Sequence, residues 1–447
     1  MKRGLLLALM MGCAGTSTSD APPNIVLIIA DDLAWDDLGA YGHPTLRTPN
    51  IDRLAREGLR FDRAYVTTSS CSPSRASLIT GRYPHSADAE QLHWRLPPDQ
   101  VTFVELLRKS GYWTAAAGKW HLGDAVKDRF DLVREADPAG FIKGSKSAGS
   151  GCEDWVRTLK ERPKHKPFFL WLASIDPHRD YESANFKAED VVIPPFLPET
   201  PEVRKDFAAY YDEIERLDRY VGDVLKELPE NTLVLFLSDN GRPFPRCKTT
   251  LYESGIRTPL IARWPGRIAP GVCASLVSTV DVAPTILSLA AVEAPATLQG
   301  RSFVPLLDTP GTSIREYVFA EKNWHDYEDR SRAARSLKYK YIRNDYHDLP
   351  MTPSADIVRS PTYKAMKADV KPRPEEELYD LESDPHELEN LAGDSRYQRI
   401  LGKIEDALEE WEASTKDVKP AARTPDEFDR KTGEPLPNRQ RPRPSKR

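Results

Sequence analysis

Five apolar runs constrain this chain more than any other feature of it. They are Asn24–Ala30 (NIVLIIA), Thr114–Gly118 (TAAAG), Phe168–Ile175 (FFLWLASI), Thr232–Ser238 (TLVLFLS) and Pro259–Trp264 (PLIARW). Each is continuously apolar rather than alternating, the pattern of strands buried on both faces in a mostly parallel sheet. Helical stretches lie between them. TPNIDRLAREG has Thr48 as cap, Pro49 at the first helical position and Gly58 as stop, and PEVRKDFAAYYDEIERLDRYVGDVLKEL and TVDVAPTILSLA come further on. Strands alternating with helices predict an α/β sandwich. At 447 residues the chain has room for a large core and a second unit.

After about Pro305 the texture changes. REYVFAE, SLKYKYIRN and ELYDLE read as short separated strands, followed by a helix in SRYQRILGKIEDALEEWEAS. The expected organisation is an α/β domain over 21–305 and a smaller α+β subdomain with an antiparallel sheet over 306–419. The segment 420–447, rich in proline and charge, is expected to be disordered. At the other end, MKRGLLLALMMGCAG has a basic start and a short apolar run, the pattern of a secretory signal. Met11-Gly12-Cys13 resembles a bacterial lipobox, with lipid on Cys13, so residues 1–20 read as signal and linker. The chain is therefore expected to be exported, periplasmic or lipid-anchored to a bacterial membrane; an ordinary signal peptide is the competing reading. The net charge of −5 gives no case for nucleic acid. No later apolar run is long enough to span a bilayer, which leaves a lipid anchor as the route to a membrane.

The useful regularity lies just past the strand ends. The first strand ends in Asp31-Asp32, the second runs into GKWHLG, the third into DPHRD and the fourth into DNG. In open α/β sheets ligands sit at the carboxyl ends of the strands, so these groups should meet in one cleft. Asp31, Asp32, Asp239 and Asn240 are hard oxygen donors, suited to calcium or magnesium rather than zinc. Capping and turn chemistry is the ordinary alternative for such residues. Lys119, His121, His178 and Lys248 (in CKTTLYESG) complete a set of cations and proton carriers, each of which alone reads as a surface lysine or a satisfied histidine.

The stretch TSSCSPSRASLITGR, Thr68–Arg82, adds a cysteine at an expected helix start. Ser72 can cap, Pro73 fits the first helical position and Gly81 stops the helix. Cys71 then lies beside unpaired N–H groups at the positive end of the helix dipole, with Arg75 a turn away. A buried structural cysteine is one reading. A low-pKa thiolate nucleophile is another, although it needs a loop of amides between Cys71 and Arg75 that three residues, one a proline, do not supply. The third rests on likeness: C-x-P-x-R, extended here to CSPSRASLITGR, resembles the signature of type I sulfatases, in which the cysteine is oxidised to Cα-formylglycine.

The resemblance runs from about Asn24 to Lys416 and takes in ELYDLESDPHELENLA. It implies an alkaline phosphatase-like α/β/α sandwich with a smaller C-terminal subdomain. It also implies maturation by a formylglycine-generating enzyme, and a calcium or magnesium ion on Asp31, Asp32, Asp239, Asn240 and the group at position 71. In that scheme the hydrated aldehyde attacks sulfur and Arg75, Lys119 and Lys248 neutralise the sulfate oxygens. His178, with Lys248, protonates the leaving group, and His121 takes the proton that expels sulfate. With Cys13 lipidated and Cys71 modified, Cys152, Cys247 and Cys273 would leave at most one disulfide, its pairing open.

Three passages look like the heparan N-sulfatase branch: Ile193–Gly222, Ser238–Gly255 with its PFP after the DNG turn, and Asp348–Tyr363. The implied substrate is N-sulfoglucosamine of heparan sulfate or heparin. Lys248 is a departure, since that branch carries arginine there and O-sulfatases carry lysine. His93, His325 and Asp326 fall in regions that line the substrate end in relatives. An O-sulfatase acting on another sulfated glycan, a phosphodiesterase of the wider superfamily, and a glycan-binding surface lipoprotein without catalysis are the alternatives.

Overall fold

The computed structural model of the chain describes residues 21–136, 149–181, 184–366 and 372–437. The signal segment, Cys13 and the last part of the tail lie outside the described residues.

The larger sheet is built from β1 (Asn24–Ala30), β2 (Leu59–Tyr65), β3 (Trp113–Gly118), β4 (Leu132–Glu135), β5 (Phe168–Ala173), β6 (Thr232–Ser238), β7 (Arg257–Arg263), β8 (Gly271–Cys273) and β9 (Val277–Ser278). Its order is β4-β3-β5-β1-β6-β7-β2-β8, with β9 also on β2. β4 to β6 run parallel, whereas β7 is antiparallel to both β6 and β2. In β1, Ile25, Leu27 and Ile29 pack with Leu78 and Ile79 of the helix Cys71–Thr80, with Leu107, and with Ile286 of the helix Val282–Leu289. Val26, Ile28 and Ala30 face the other way, onto Ile51 and Leu54 of Pro49–Arg56 and Phe207, Tyr210 and Ile214 of Pro201–Lys226. Helices on both faces make the continuous apolar strands compatible with water outside, and the result is an α/β/α sandwich. Thr200 caps the long helix by accepting the Val203 N–H, with Pro201 at its start.

The smaller sheet is antiparallel, in the order β10 (Val318–Lys322), β11 (Ser331–Arg335), β12 (Tyr339–Asn344), β13 (Glu376–Asp380). Its alternation is plain. Ala334, Tyr341 and Leu378 pack against Leu401, Ile404, Leu408 and Trp411 of the helix Gln398–Thr415. Ala333, Ile342 and Tyr379 face the large domain at Tyr65, Leu251 and Ile256. A buried ion cluster ties this seam: Lys340 Nζ lies 2.8 Å from Glu253 Oε1 and 2.8 Å from Glu387 Oε1. Burial pushes the Glu253 carboxyl up, but Arg335 and Lys340 outweigh it and hold it well below the usual carboxylate range.

Two expectations are corrected. The segment from Pro420 is not disordered over its described part, because residues 424–436 fold back against the small sheet and its loops; Glu427, at 2 % exposure, donates its N–H to Asp326 O at 2.8 Å. Its prolines and charges satisfy loop partners instead of water. Second, the helix at Cys71 starts earlier than Ser72, as detailed below. Among the described residues, Cys71, Cys152, Cys247 and Cys273 are all free thiols, and no helix is long and apolar enough to cross a membrane.

Candidate active site

Strand register builds the cleft. Ala30 of β1 pairs with Ser238 of β6, Ile29 with Ala173 of β5, and Gly118 of β3 with the same Ala173. The four parallel strands therefore end at nearly one level, and the residues just beyond each turn into a common space. Gly118 has φ 101°, and a Cβ there would stand 1.8 Å from Ala173 O, so only glycine lets β3 turn into Lys119.

The Cys71 segment enters from the side. Its helix spans Cys71–Thr80 with Ser70 as N-cap residue, so Cys71 itself occupies the first helical position. Pro73 is then third, where the missing N–H still has no intrahelical acceptor to lose. Ser72, expected to cap, instead accepts the His93 N–H at 2.8 Å. Gly81 ends the helix at φ 64° with its N–H on Ser77 O.

At the floor, Cys71 Sγ lies 3.5 Å from Asp31 Oδ1, 3.5 Å from Asn240 Oδ1 and 3.8 Å from Asp32 Oδ1. Ligand atoms of Asp31, Asp32, Cys71 and Asp239 all fall within 4.8 Å of one another. Three carboxylates and an amide converging on one point, buried, form an oxygen-donor set that fits a hard divalent cation. Cations brace the set from outside. Lys119 Nζ bonds Asp31 Oδ2, Lys248 Nζ lies 2.7 Å from Asp32 Oδ2, and Arg75 Nε lies 2.8 Å from Asp239 Oδ2. Arg75 also donates to Lys119 O at 3.0 Å.

The protonation states are set by this packing. Burial pushes the Cys71 thiol well up, more than Lys119 and Lys248 pull it down. Burial raises Asp31 too, but Lys119 carries it net below the usual range, while Asp239, beside Asp31, stays raised. Burial and then the neighbouring His93 and Lys119 hold His121 well below an ordinary histidine, hence neutral. Its Nε2 lies 2.7 Å from His93 Nδ1. His178 Nδ1 donates to Arg179 O, which leaves Nε2, 3.7 Å from Asp32 Oδ2, as the atom that can exchange a proton.

Above this floor opens a cavity of about 450 Å³. Cys71, His121, His178 and Lys248 reach it from below, and His93, His325 and Asp326, the three residues assigned to the substrate end, all line it. His325 Nδ1 is 2.7 Å from Ser70 Oγ, and Asp326 Oδ2 accepts the Ala355 N–H at 2.9 Å. Burial lifts the Asp326 carboxyl to about 7. Asp32, His93, His121 and Asp326 all sit at positive φ, 59–67°, a clustering of left-handed non-glycine backbone that marks functional sites.

The sequence reading missed Asp356 and Arg359, and also Leu92, Phe428, Glu434 and Pro435, all of which line the cavity. Asp356 faces Lys248: burial raises its carboxyl, but that ammonium above all outweighs the rise and holds it below the usual carboxylate range. Its Oδ2 is buried without a hydrogen-bond partner. The only signal was its place in Asp348–Tyr363, a passage singled out for likeness and not for chemistry.

Known proteins share both the sequence and the fold. Residues 23–292 match the family model described as Sulfatase, and residues 246–414 match that of the N-sulphoglucosamine sulphohydrolase C-terminal region. Human N-sulphoglucosamine sulphohydrolase is 31% identical, the match covering 89% of this chain and 91% of that protein. Human arylsulfatase A is 33% identical over 88% of this chain and 87% of its own length. An ulvan-active sulfatase of Formosa agariphila is 30% identical over 90% and 82%. A solved protein in complex with its substrate D-glucosamine-2-N,6-O-disulfate shares the fold at TM-score 0.70 and 22% identity, covering 90% of this chain and 99% of that one. A 2-O glycosaminoglycan sulfatase superposes at TM-score 0.69 and 25% identity over 89% and 93%.

Proposed function

The chain belongs to the sulfatase family and is a sulfuric ester hydrolase, and from that premise we propose that it removes the N-sulfate of glucosamine in heparan-type saccharides. The observation that carries this reading is the match of residues 246–414, which supply Lys248, His325, Asp326 and Asp356 to the cavity, to the N-sulphoglucosamine sulphohydrolase C-terminal region. The sulfated glucosamine in a structural neighbour is consistent with a cavity of this size.

Position 71, oxidised to Cα-formylglycine by a maturation enzyme, would supply a nucleophilic oxygen in place of the thiol. A calcium or magnesium ion on Asp31, Asp32, Asp239 and Asn240 would supply positive charge beside that oxygen and the sulfate. The chain's own groups do the rest. Lys119 and Lys248 present ammonium groups to the sulfate oxygens, while Arg75, committed to Asp239, holds the acidic set in place. His178 delivers a proton from Nε2 to the leaving nitrogen, its ring fixed by the Nδ1 bond to Arg179 O. His121, kept neutral, accepts the proton whose removal frees sulfate.

The second reading, an O-sulfatase, is favoured by one residue, the lysine at 248, where the N-sulfatase branch is expected to have arginine. Sulfate release from N-sulfoglucosamine against 6-O-sulfoglucosamine, on protein whose Cys71 peptide has the aldehyde mass, tests both. Faster release from the N-sulfated sugar is expected; release from the O-sulfated sugar alone overturns the first reading in favour of the second. Cys71→Ala is expected to abolish turnover while leaving the fold. Export and lipid attachment at Cys13 complete the proposal, and radiolabelled fatty acid incorporation that Cys13→Ser removes is the expected result.

A further inference from the structure

The cavity has an unlike lining. Polar groups around Cys71 and Lys248, with Asp326, Asp356, Arg359 and Glu434 beside them, share it with an apolar set, Leu92, Ala355, Phe428 and Pro435. The last two residues come from the segment 424–436, beyond residue 414, where the C-terminal family match ends. This segment is a short hairpin: Phe428 bridges Pro435, Asp429 N–H donates to Glu434 O at 2.8 Å, and Leu436 N–H donates to Glu427 O at 2.9 Å.

The hairpin is fastened to the elements that carry the other pocket residues. Trp324 Nε1 donates to Pro425 O at 3.0 Å, Glu427 N–H to Asp326 O at 2.8 Å, and Arg359 to Gly433 O at 2.6 Å. Arg430 donates to Glu328 O at 2.8 Å with its guanidinium over the Tyr327 ring. Phe428 packs with Tyr327, Ala355 and Val358. These bonds hold one aromatic ring in the lining of the cavity that position 71 also reaches.

A pyranose carrying a sulfate group matches this division, since its C–H face is apolar while its sulfate is anionic. We propose that the hairpin 424–436 is the substrate-selecting wall of this site, with Phe428 and Pro435 receiving the apolar face of a hexosamine ring whose sulfate points at position 71. This rests on the reading of the protein as a saccharide sulfatase. Phe428 is then a specificity-determining residue that takes no part in the reaction at sulfur.

The test uses the full-length, matured protein. Phe428→Ala is expected to raise KM for N-sulfoglucosamine about tenfold, the scale of one lost ring contact. The inhibition constant of inorganic sulfate, which needs only the floor, should stay within about twofold of wild type on that same scale, and Phe428→Trp should recover the sugar KM. If Phe428→Ala fails to fold, Phe428→Leu, which keeps bulk without the flat ring, carries the same expectation. An unchanged sugar KM overturns the proposal, and so does a parallel loss of sulfate and sugar binding, which would mean a structural role. Wild-type protein that releases sulfate from no hexosamine defeats the saccharide reading itself; wild-type activity with an indifferent Phe428 defeats this inference alone.

Discussion

Lys248 Nζ lies 2.7 Å from Asp32 Oδ2, and both side chains are buried. One ammonium thus balances an acid of the metal-type cluster and also faces the cavity. Loss of a preorganised charge at such a point typically costs about 10²–10³ in kcat. Lys248→Ala should show that loss in sulfate release. Lys248→Arg keeps the charge but spreads it over a planar fork, so it should retain more activity than the alanine variant and shift the ratio of N- to O-sulfate hydrolysis. An unchanged ratio would separate this residue from leaving-group choice.

Arg75 and Asp239 form a second buried pair, both side chains at 0 % exposure. Breaking such a pair from one side leaves an uncompensated charge and costs about 3–5 kcal/mol. Arg75→Met should lower stability to urea by that order, and added calcium should recover part of it by replacing the missing charge. Equal stability of variant and wild type without the ion would show that Asp239 protonates at no cost.

Asp356 faces three side chains, Lys248, His178 and His325. Asp356→Asn removes a buried carboxylate that faces Lys248 and the catalytic end of the cavity. On the sugar, kcat should fall several-fold more than KM rises. A kcat that does not move while KM rises would restrict Asp356 to contacts with sugar hydroxyls.

His43 reports on stability instead of chemistry. Its Nδ1 accepts the Leu46 N–H at 2.9 Å and its Nε2 lies 2.8 Å from the Tyr211 hydroxyl. Burial, then Arg242, depress its pKa from 6.5 to about 4. Between those values the unfolded chain binds a proton that the folded chain refuses, so stability is full above about 6.5 and falls as pH drops towards 4. His43→Asn keeps an acceptor for Leu46 and does not titrate. Its Tm should fall less than that of wild type across this window, and equal slopes would assign the acid sensitivity elsewhere.

The fold was legible where burial is two-sided. β1 and β6 coincide with the apolar runs residue for residue, because a strand covered on both faces has no polar positions to blur its ends. β2 (LRFDRAY) and β11 (SRAAR) were not legible, since their arginines and aspartate hide a strand: in β2 Arg60 pairs with Asp62 of the same strand, and in β11 Arg332 and Arg335 find Asp417 and Glu253 only in the assembled protein. The floor of the site was legible for a related reason: Asp31, Lys119, His178 and Asp239 sit just past strand ends, so topology alone gathers them. Asp356 and Phe428 had no such anchor. They reach the cavity through the docking of the small sheet and the hairpin, and no local pattern encodes that distance. The tail misled for the opposite reason, its composition being that of an unpacked chain while its backbone groups find fixed partners.

Cys71 is only 2 % exposed, on a helix that is buried from end to end. Under the maturation proposed above, the oxidising enzyme would have to reach this thiol before the helix is buried. Oxidation and folding would then compete in time, and the fraction of active molecules in a preparation would be set by that race and not by the stability of the finished protein.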